Sequence, residues 1–144
     1  MSRKGKILVT GGTGFIGSHT VVELIQQGYE VVIIDNLSNS EAFIVDRIEQ
    51  ITGVRPKFYE FDLLDSTKLD SFFKENSNLK GVIHFAAAKA VGESVQIPLH
   101  YYRNNLVTMI NLLQMMVKHK ISDFVFSSSC TVYGQPDELP VTEN

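Results

Sequence analysis

The feature that most constrains this chain is a cluster of glycines set between two hydrophobic patterns of different period. Lys6-Ile7-Leu8-Val9-Thr10 is a near-continuous apolar run, the pattern of a strand buried on both faces of a parallel sheet. Glycines follow at once. From Phe15 to Gln27 the apolar residues then stand at 15, 16, 21, 22, 24 and 25, a spacing that predicts a helix with one packed face, ended by Gly28 as a C-terminal cap. A strand turning tightly into a helix points the helix N-terminus, with its free N–H groups and positive dipole end, at the space above the strand. Gly11 would allow the tight turn, Gly14 would let the backbone approach a pyrophosphate, and Gly17 would let the helix lie close on the sheet. An ordinary glycine-rich strand-to-helix turn is the other reading; the position between a buried strand and a helix favours the phosphate cradle.

The rest of the chain repeats the same alternation. Glu30-Val31-Val32-Ile33-Ile34 predicts a second buried strand. A polar turn from Asn36 to Ser40 leads to a helix running to about Thr52, with Phe43, Ile44, Ile48 and Ile51 on its inner side. Gly53 and Pro56 break that helix. Lys57 to Phe61 reads as strand three, Ser66 to Phe73 as a helix capped by Ser66, and Lys80 to Phe85 as strand four. Pro98, favoured in a first helical turn, starts a long helix to about Lys118, and Asp123 to Ser127 is strand five. Five strands alternating with four helices predict an α/β, doubly wound parallel sheet of Rossmann type over residues 1–144. The tail from Tyr133 to Asn144 reads as loop.

Composition narrows the function classes. A chain of 144 residues with 44% hydrophobic content suffices for one core. The single cysteine, Cys130, excludes an internal disulfide framework and agrees with a reducing compartment. The thirteen Lys and Arg are dispersed within a net charge of −3, so no nucleic-acid footprint appears. No apolar run approaches the ~18 residues of a membrane span, and the start at Met1 carries no cleavage-site pattern. These features predict a soluble cytoplasmic protein with neither nucleic acid nor membrane as partner. The histidines at 19, 84, 100 and 119 form no ligand spacing with one another or with Cys130, so no metal is expected.

Further candidates stand at the strand ends. Asp35 closes strand two, eighteen residues after Gly17, where a carboxylate accepts hydrogen bonds from an adenosine ribose 2′-hydroxyl and repels a 2′-phosphate. That favours NAD over NADP. Asn36, Asn39 and Ser40 extend this ribose contact or are simply turn residues. Asp62 and Leu63 close strand three, where an adenine edge would lie. Phe85-Ala86-Ala87-Ala88-Lys89 closes strand four: small residues allow backbone approach to the middle of a dinucleotide, and Lys89 supplies a cation. His84, inside that strand, reads as a satisfied core histidine. Ser127-Ser128-Ser129 ends strand five on the ligand-binding edge of the sheet, without the adjacent strong base that a nucleophilic serine needs.

The spacing of the glycines, G-x-x-G-x-x-G, resembles that of short-chain dehydrogenases/reductases. Longer segments sharpen the likeness: Thr10-Gly-Gly-Thr-Gly-Phe-Ile-Gly-Ser-His19, Asp35-Asn-Leu-Ser-Asn-Ser40, His84-Phe-Ala86, Lys89-Ala-Val-Gly-Glu-Ser-Val95, Tyr101-Tyr-Arg-Asn-Asn105, and Phe126-Ser-Ser-Ser129 followed by Thr131-Val-Tyr-Gly134. Together they resemble the UDP-glucose (UDP-galactose) 4-epimerase family, extended members of that superfamily, over residues 6 to about 143.

The resemblance implies tightly held NAD, a UDP-hexose substrate, hydride removal from C4 to give a 4-keto intermediate, return of hydride on the opposite face, and a homodimer. It assigns Gly11, Gly14, Phe15, Ile16 and Gly17 to the pyrophosphate turn, and Asp35 and Asn36, with Asn39 and Ser40 beside them, to the adenosine ribose. Asp62 and Leu63 go to adenine. Phe85, Ala86, Ala87, Lys89, Asn104 and Ser127 go to the rest of the cofactor, and Ser129 to the reacting hydroxyl. Three departures from the family pattern stand out: Phe15 replaces a common tyrosine, a change expected to matter little because the ring packs; Ala87-Ala88 replaces a frequent Gly-Leu; Cys130 replaces a frequent alanine.

A fourth departure bears on catalysis. The family's base is the tyrosine of Tyr-x-x-x-Lys, whose lysine lowers the tyrosine pKa. Four residues after Tyr29, Tyr59, Tyr101, Tyr102 and Tyr133 stand Ile33, Leu63, Asn105, Leu106 and Asp137. The chain is therefore expected to be the N-terminal, cofactor-binding portion of an epimerase whose base, sixth strand and sugar-binding lobe follow Asn144, and to be inactive alone. A non-catalytic NAD-binding module and a related sugar-nucleotide dehydratase are the alternatives. The latter would need an acidic pair near the serine turn, which Ser129-Cys130-Thr131 does not supply.

Overall fold

The computed structural model describes residues 4–129 and 134. Its centre is a five-stranded parallel sheet built from β1 (Lys6–Thr10), β2 (Glu30–Asp35), β3 (Lys57–Glu60), β4 (Leu79–His84) and β5 (Asp123–Phe126), in the spatial order β3-β2-β1-β4-β5. The helices are α1 (Phe15–Gln26), α2 (Ile44–Thr52), α3 (Ser66–Glu75), α4 (Val91–Gln96), α5 (Pro98–Tyr102) and α6 (Thr108–Lys118), with a π-helical turn, Arg103–Val107, joining the last two. This is the Rossmann-type, doubly wound α/β architecture that the alternation predicts.

Side chains alternate across the sheet, and each face has its own core. Val9, Val31 and Ile33 meet Val21 of α1 and Ile48 of α2. Leu8, Val32, Ile34 and Val82 meet Leu69, Phe72 and Phe73 of α3 and Leu112 and Met116 of α6. Burial on both faces is why β1 and β2 read as continuous apolar runs. Chain order reverses between β1 and β4: the chain leaves β1 for β2 and β3 on one side, then returns to place β4 and β5 on the other. At such a switch point the loops diverge and leave a crevice above the strand ends.

Several expectations need correction. Ser66 does not cap α3; the N-cap is Asp65, whose carboxylate accepts the Lys68 N–H at 3.0 Å. On α2 the buried stripe runs through Val45 and Ile48, so Phe43 and Ile51 face outward. Phe15 does not pack into the core. It is 81% exposed and lies against the His19 ring, one turn further along α1. The long helix from Pro98 is present, but it is interrupted by the π turn. Helix α4 goes unforeseen because it is short, contains Gly92 and buries no residue. Cys130, Thr131, Val132, Tyr133, most of the tail and Met1 lie outside the described residues. No described helix is long and apolar enough to cross a membrane.

Candidate functional site

Every described site residue found by sequence lies at or beyond the C-terminal end of a strand or on the helices that follow. The glycine turn is the tightest part. Gly11 has φ +70°, and a Cβ there would stand 2.7 Å from the Ala86 backbone nitrogen, so the loops after β1 and β4 touch backbone to backbone. A Cβ on Gly17 would stand 2.1 Å from the Gly11 carbonyl oxygen. Only glycine permits α1 to start this close to the turn. Gly14 is the N-cap of α1 and no side chain caps it, which leaves the first amide groups of a twelve-residue helix for an anion. Phe15 and Ile16 flank that end and are exposed. Gly12, unassigned by the sequence reading, is equally constrained, since a Cβ would stand 2.7 Å from Ile33 Cγ2.

Asp35 joins this turn to the loop after β2. Its Oδ2 accepts the Thr13 N–H at 3.1 Å, while Oδ1 accepts the Leu37 N–H at 3.0 Å and the Ser40 hydroxyl at 3.3 Å. Ser40 Oγ and Thr13 Oγ1 share a further hydrogen bond of 2.7 Å. A carboxylate offers about four acceptor sites, so Asp35 retains capacity for one more donor. Leu37 takes a left-handed conformation with φ +56°, held there by its bond to Asp35. Asn39 is exposed beside this network. Asn36 donates through Nδ2 to Asp62 Oδ2 at 2.9 Å, and Asp62 Oδ1 accepts the Leu64 N–H at 2.8 Å, so the loops after β2 and β3 are also linked. Leu63 is buried beneath them, and its carbonyl accepts from Asn111 of α6 at 3.0 Å.

On the other side of the switch point, Phe85 donates its N–H to the Thr10 carbonyl at 3.0 Å, and Ala86, Ala87 and Lys89 run on toward α4. Ala87 and Lys89 are exposed. Asn104, in the π turn, donates to Asn105 at 3.0 Å, and Asn105 in turn binds the backbone of Ala88. Asn105 is a second residue the sequence reading left without a role; its adjacency to Asn104 was the only signal. His84 is the core histidine expected. It is 2% exposed, shares a 2.6 Å hydrogen bond with Thr10 Oγ1 and stacks near Phe124 and Phe126, and burial pushes its pKa down to about 4. Ser127 donates its N–H to the His84 carbonyl at 3.2 Å. That bond brings the exposed Ser127-Ser128-Ser129 run beside the end of β4.

A switch-point crevice, an uncapped helix N-terminus behind a glycine turn and a strand-end carboxylate bound to that turn define a nucleotide-binding Rossmann-type site. The model of the NAD dependent epimerase/dehydratase family matches residues 7–144, and the chain belongs to that family. It is 54% identical to the UDP-glucose 4-epimerase of Schizosaccharomyces pombe, with 98% of this chain and 41% of that protein covered. It is 56% identical to the UDP-glucose 4-epimerase of Bacillus subtilis, covering 96% and 40% respectively. Among solved structures, the UDP-glucose 4-epimerase of Bifidobacterium longum in complex with NAD+ and UDP superposes with a TM-score of 0.90 at 51% identity, over 96% of this chain and 41% of that one. The chain thus spans about two fifths of the length of the relatives it matches.

Proposed function

We propose that the protein carrying this chain interconverts UDP-galactose and UDP-glucose by NAD-dependent epimerisation at C4 of the hexose, through a 4-keto sugar, with this chain supplying the cofactor site and one catalytic serine. The observation that carries the reading is the hydrogen-bonded unit of Thr13, Asp35 and Ser40 at the glycine turn, together with the extent of the likeness to UDP-glucose 4-epimerases. NAD fits the residues present. The amide groups of Phe15 and Ile16, in the first turn of α1, suit the pyrophosphate, and Asp35 has an acceptor site left for a ribose hydroxyl.

Bound at this site, NAD would supply the hydride acceptor and donor for C4. In this reading Gly11, Gly14 and Gly17, with Phe15 and Ile16 beside them, line the pyrophosphate at the N-terminus of α1. Asp35, Asn36, Asn39 and Ser40 bind the adenosine ribose, and Asp62 and Leu63 meet adenine. Phe85, Ala86, Ala87, Lys89, Asn104 and Ser127 flank the remainder of the dinucleotide. Ser129 hydrogen-bonds the C4 hydroxyl and steadies its proton for a base supplied by another part of the protein. The substrate is a UDP-hexose and the assembly a homodimer, as the family resemblance implies. Incubating the full-length protein with UDP-galactose is expected to yield UDP-glucose; the absence of product from NAD-loaded protein would overturn the reading.

A further inference from the structure

The site described above contains two parts beyond β4, the Phe85–Lys89 segment and Asn104, and one residue touches both. Asn105 accepts the Ala88 N–H through Oδ1 at 2.9 Å and donates through Nδ2 to the Ala88 carbonyl, also at 2.9 Å. Ala88 belongs to a segment with no strand ladder of its own, and the Asn105 amide supplies the pair of backbone bonds that a neighbouring strand would otherwise provide. The same Oδ1 accepts a third bond, from Asn104 Nδ2 at 3.0 Å. Donor on one side and acceptor on the other allow a single orientation of the Asn105 amide. That orientation fixes Asn104 in turn: its NH2 group faces Asn105, and its Oδ1 is left as an acceptor.

The backbone is arranged to allow this. Asn104 and Asn105 both lie in the π turn Arg103–Val107, a rare conformation often found at functional sites. Buried Thr108 donates its hydroxyl to the Asn104 carbonyl, one of the carbonyls that the widened turn displaces from the regular helical pattern. Asn105 thereby reaches the loop after β4 from the middle of a continuous helix, with Asn104 bonded to it.

We propose that Asn105 is a positioning residue for the nicotinamide half of the cofactor: it fixes the path of the Phe85–Lys89 segment and orients Asn104 so that its Oδ1 accepts from a hydroxyl of the nicotinamide-side ribose. The proposal rests on the NAD-dependent reading above. It separates the two halves of the dinucleotide, because the ADP half is held by the glycine turn and Asp35, which Asn105 does not touch.

The test uses the full-length protein stripped of nucleotide and titrated with NAD and, separately, with ADP, which lacks the nicotinamide ribose. Asn105→Ala is expected to raise the NAD Kd about tenfold and leave the ADP Kd within twofold of wild type. It is also expected to lower kcat for UDP-galactose more than it raises KM. Asn105→Asp keeps both acceptor bonds but sets a carboxylate oxygen against the Ala88 carbonyl, so it should also weaken NAD while sparing ADP; it carries the test if the alanine variant does not fold. General destabilisation would weaken both nucleotides together, and Thr52→Ala, distant from the site, provides that comparison. An unchanged NAD Kd in either folded variant, or equal losses for NAD and ADP, would overturn the proposal. A wild-type protein that binds NAD without epimerising UDP-galactose would sink the epimerase reading alone, and the ratio of the two Kd changes would still decide the role of Asn105.

Discussion

Thr13 donates its backbone N–H to the carboxylate of Asp35 at 3.1 Å, across a sequence separation of 22 residues. The bond makes the turn after β1 and the loop after β2 one unit, so the residue expected to recognise the ribose also shapes the turn expected to hold the pyrophosphate. Affinity and local order are coupled at this carboxylate.

Asp35→Ala removes three hydrogen bonds at once. At about 1 kcal/mol for a typical net contribution of each, a stability loss of about 3 kcal/mol is expected in denaturant titrations. The variant should also bind NAD more weakly relative to NADP, because the charge that repels a 2′-phosphate has gone. Parallel calorimetric titration of the two cofactors measures this, and an unchanged preference would count against the ribose assignment.

The glycines make a paired prediction. Gly17→Ala forces a methyl group onto the Gly11 carbonyl oxygen at 2.1 Å, backbone against side chain with no flexible group to yield. A loss of more than about 3 kcal/mol, beyond the usual range for overpacking, is expected. Gly92→Ala in α4 meets nothing within 4 Å and should instead stabilise the protein by about 0.5–1 kcal/mol through helix propensity. Equal melting temperatures for the two variants would refute both arguments.

His84 predicts a pH dependence. Burial lowers its pKa from 6.5 to about 4, so between these values the unfolded chain binds the proton and the folded chain does not. The histidine's contribution to stability is therefore complete above pH 6.5 and is lost as pH falls toward about 4, by about 3 kcal/mol in all. Unfolding free energies measured across that window should slope upward with pH, and His84→Gln should flatten the slope. Identical slopes would assign the effect elsewhere.

The isolated 144-residue chain is expected to show no turnover of UDP-galactose, because none of its tyrosines is followed four residues later by lysine. Product formation by purified chain above a mock preparation would show that another group serves as base.

How much of this was legible in the sequence depends on the range of the interaction. The strands and their order of appearance were, because β1 and β2 are buried on both faces and read as unbroken apolar runs. Gly11 and Gly17 were, because the demand they meet is local. The bonds that assemble the site were not. Thr13 with Asp35, Asn36 with Asp62 and Asn105 with Ala88 join residues 22, 26 and 17 apart in sequence, and no hydrophobic period encodes such pairs. The π turn was hidden for a related reason: it interrupts a helix whose apolar pattern continues on both sides. Phe15 and Ile16 are both exposed, and amphipathic spacing alone does not reveal which first-turn residues of a helix stay outside the core.

The switch point also has a kinetic meaning. Lys6 pairs with Glu30 of β2 on one side and with Leu79 of β4 on the other, so the second pairing closes a loop about three times longer and costs about 1 kcal/mol more in chain entropy. The half-sheet β1-β2-β3 can gather from near neighbours in the chain, whereas the crevice exists only once β4 has docked on β1. Its two walls, the glycine turn and the Phe85–Lys89 segment, are brought together by the most distant closure in the sheet, and a molecule bridging them would act as a clasp on that closure, slowing the opening of β1 from β4 more than the separation of any other pair of strands.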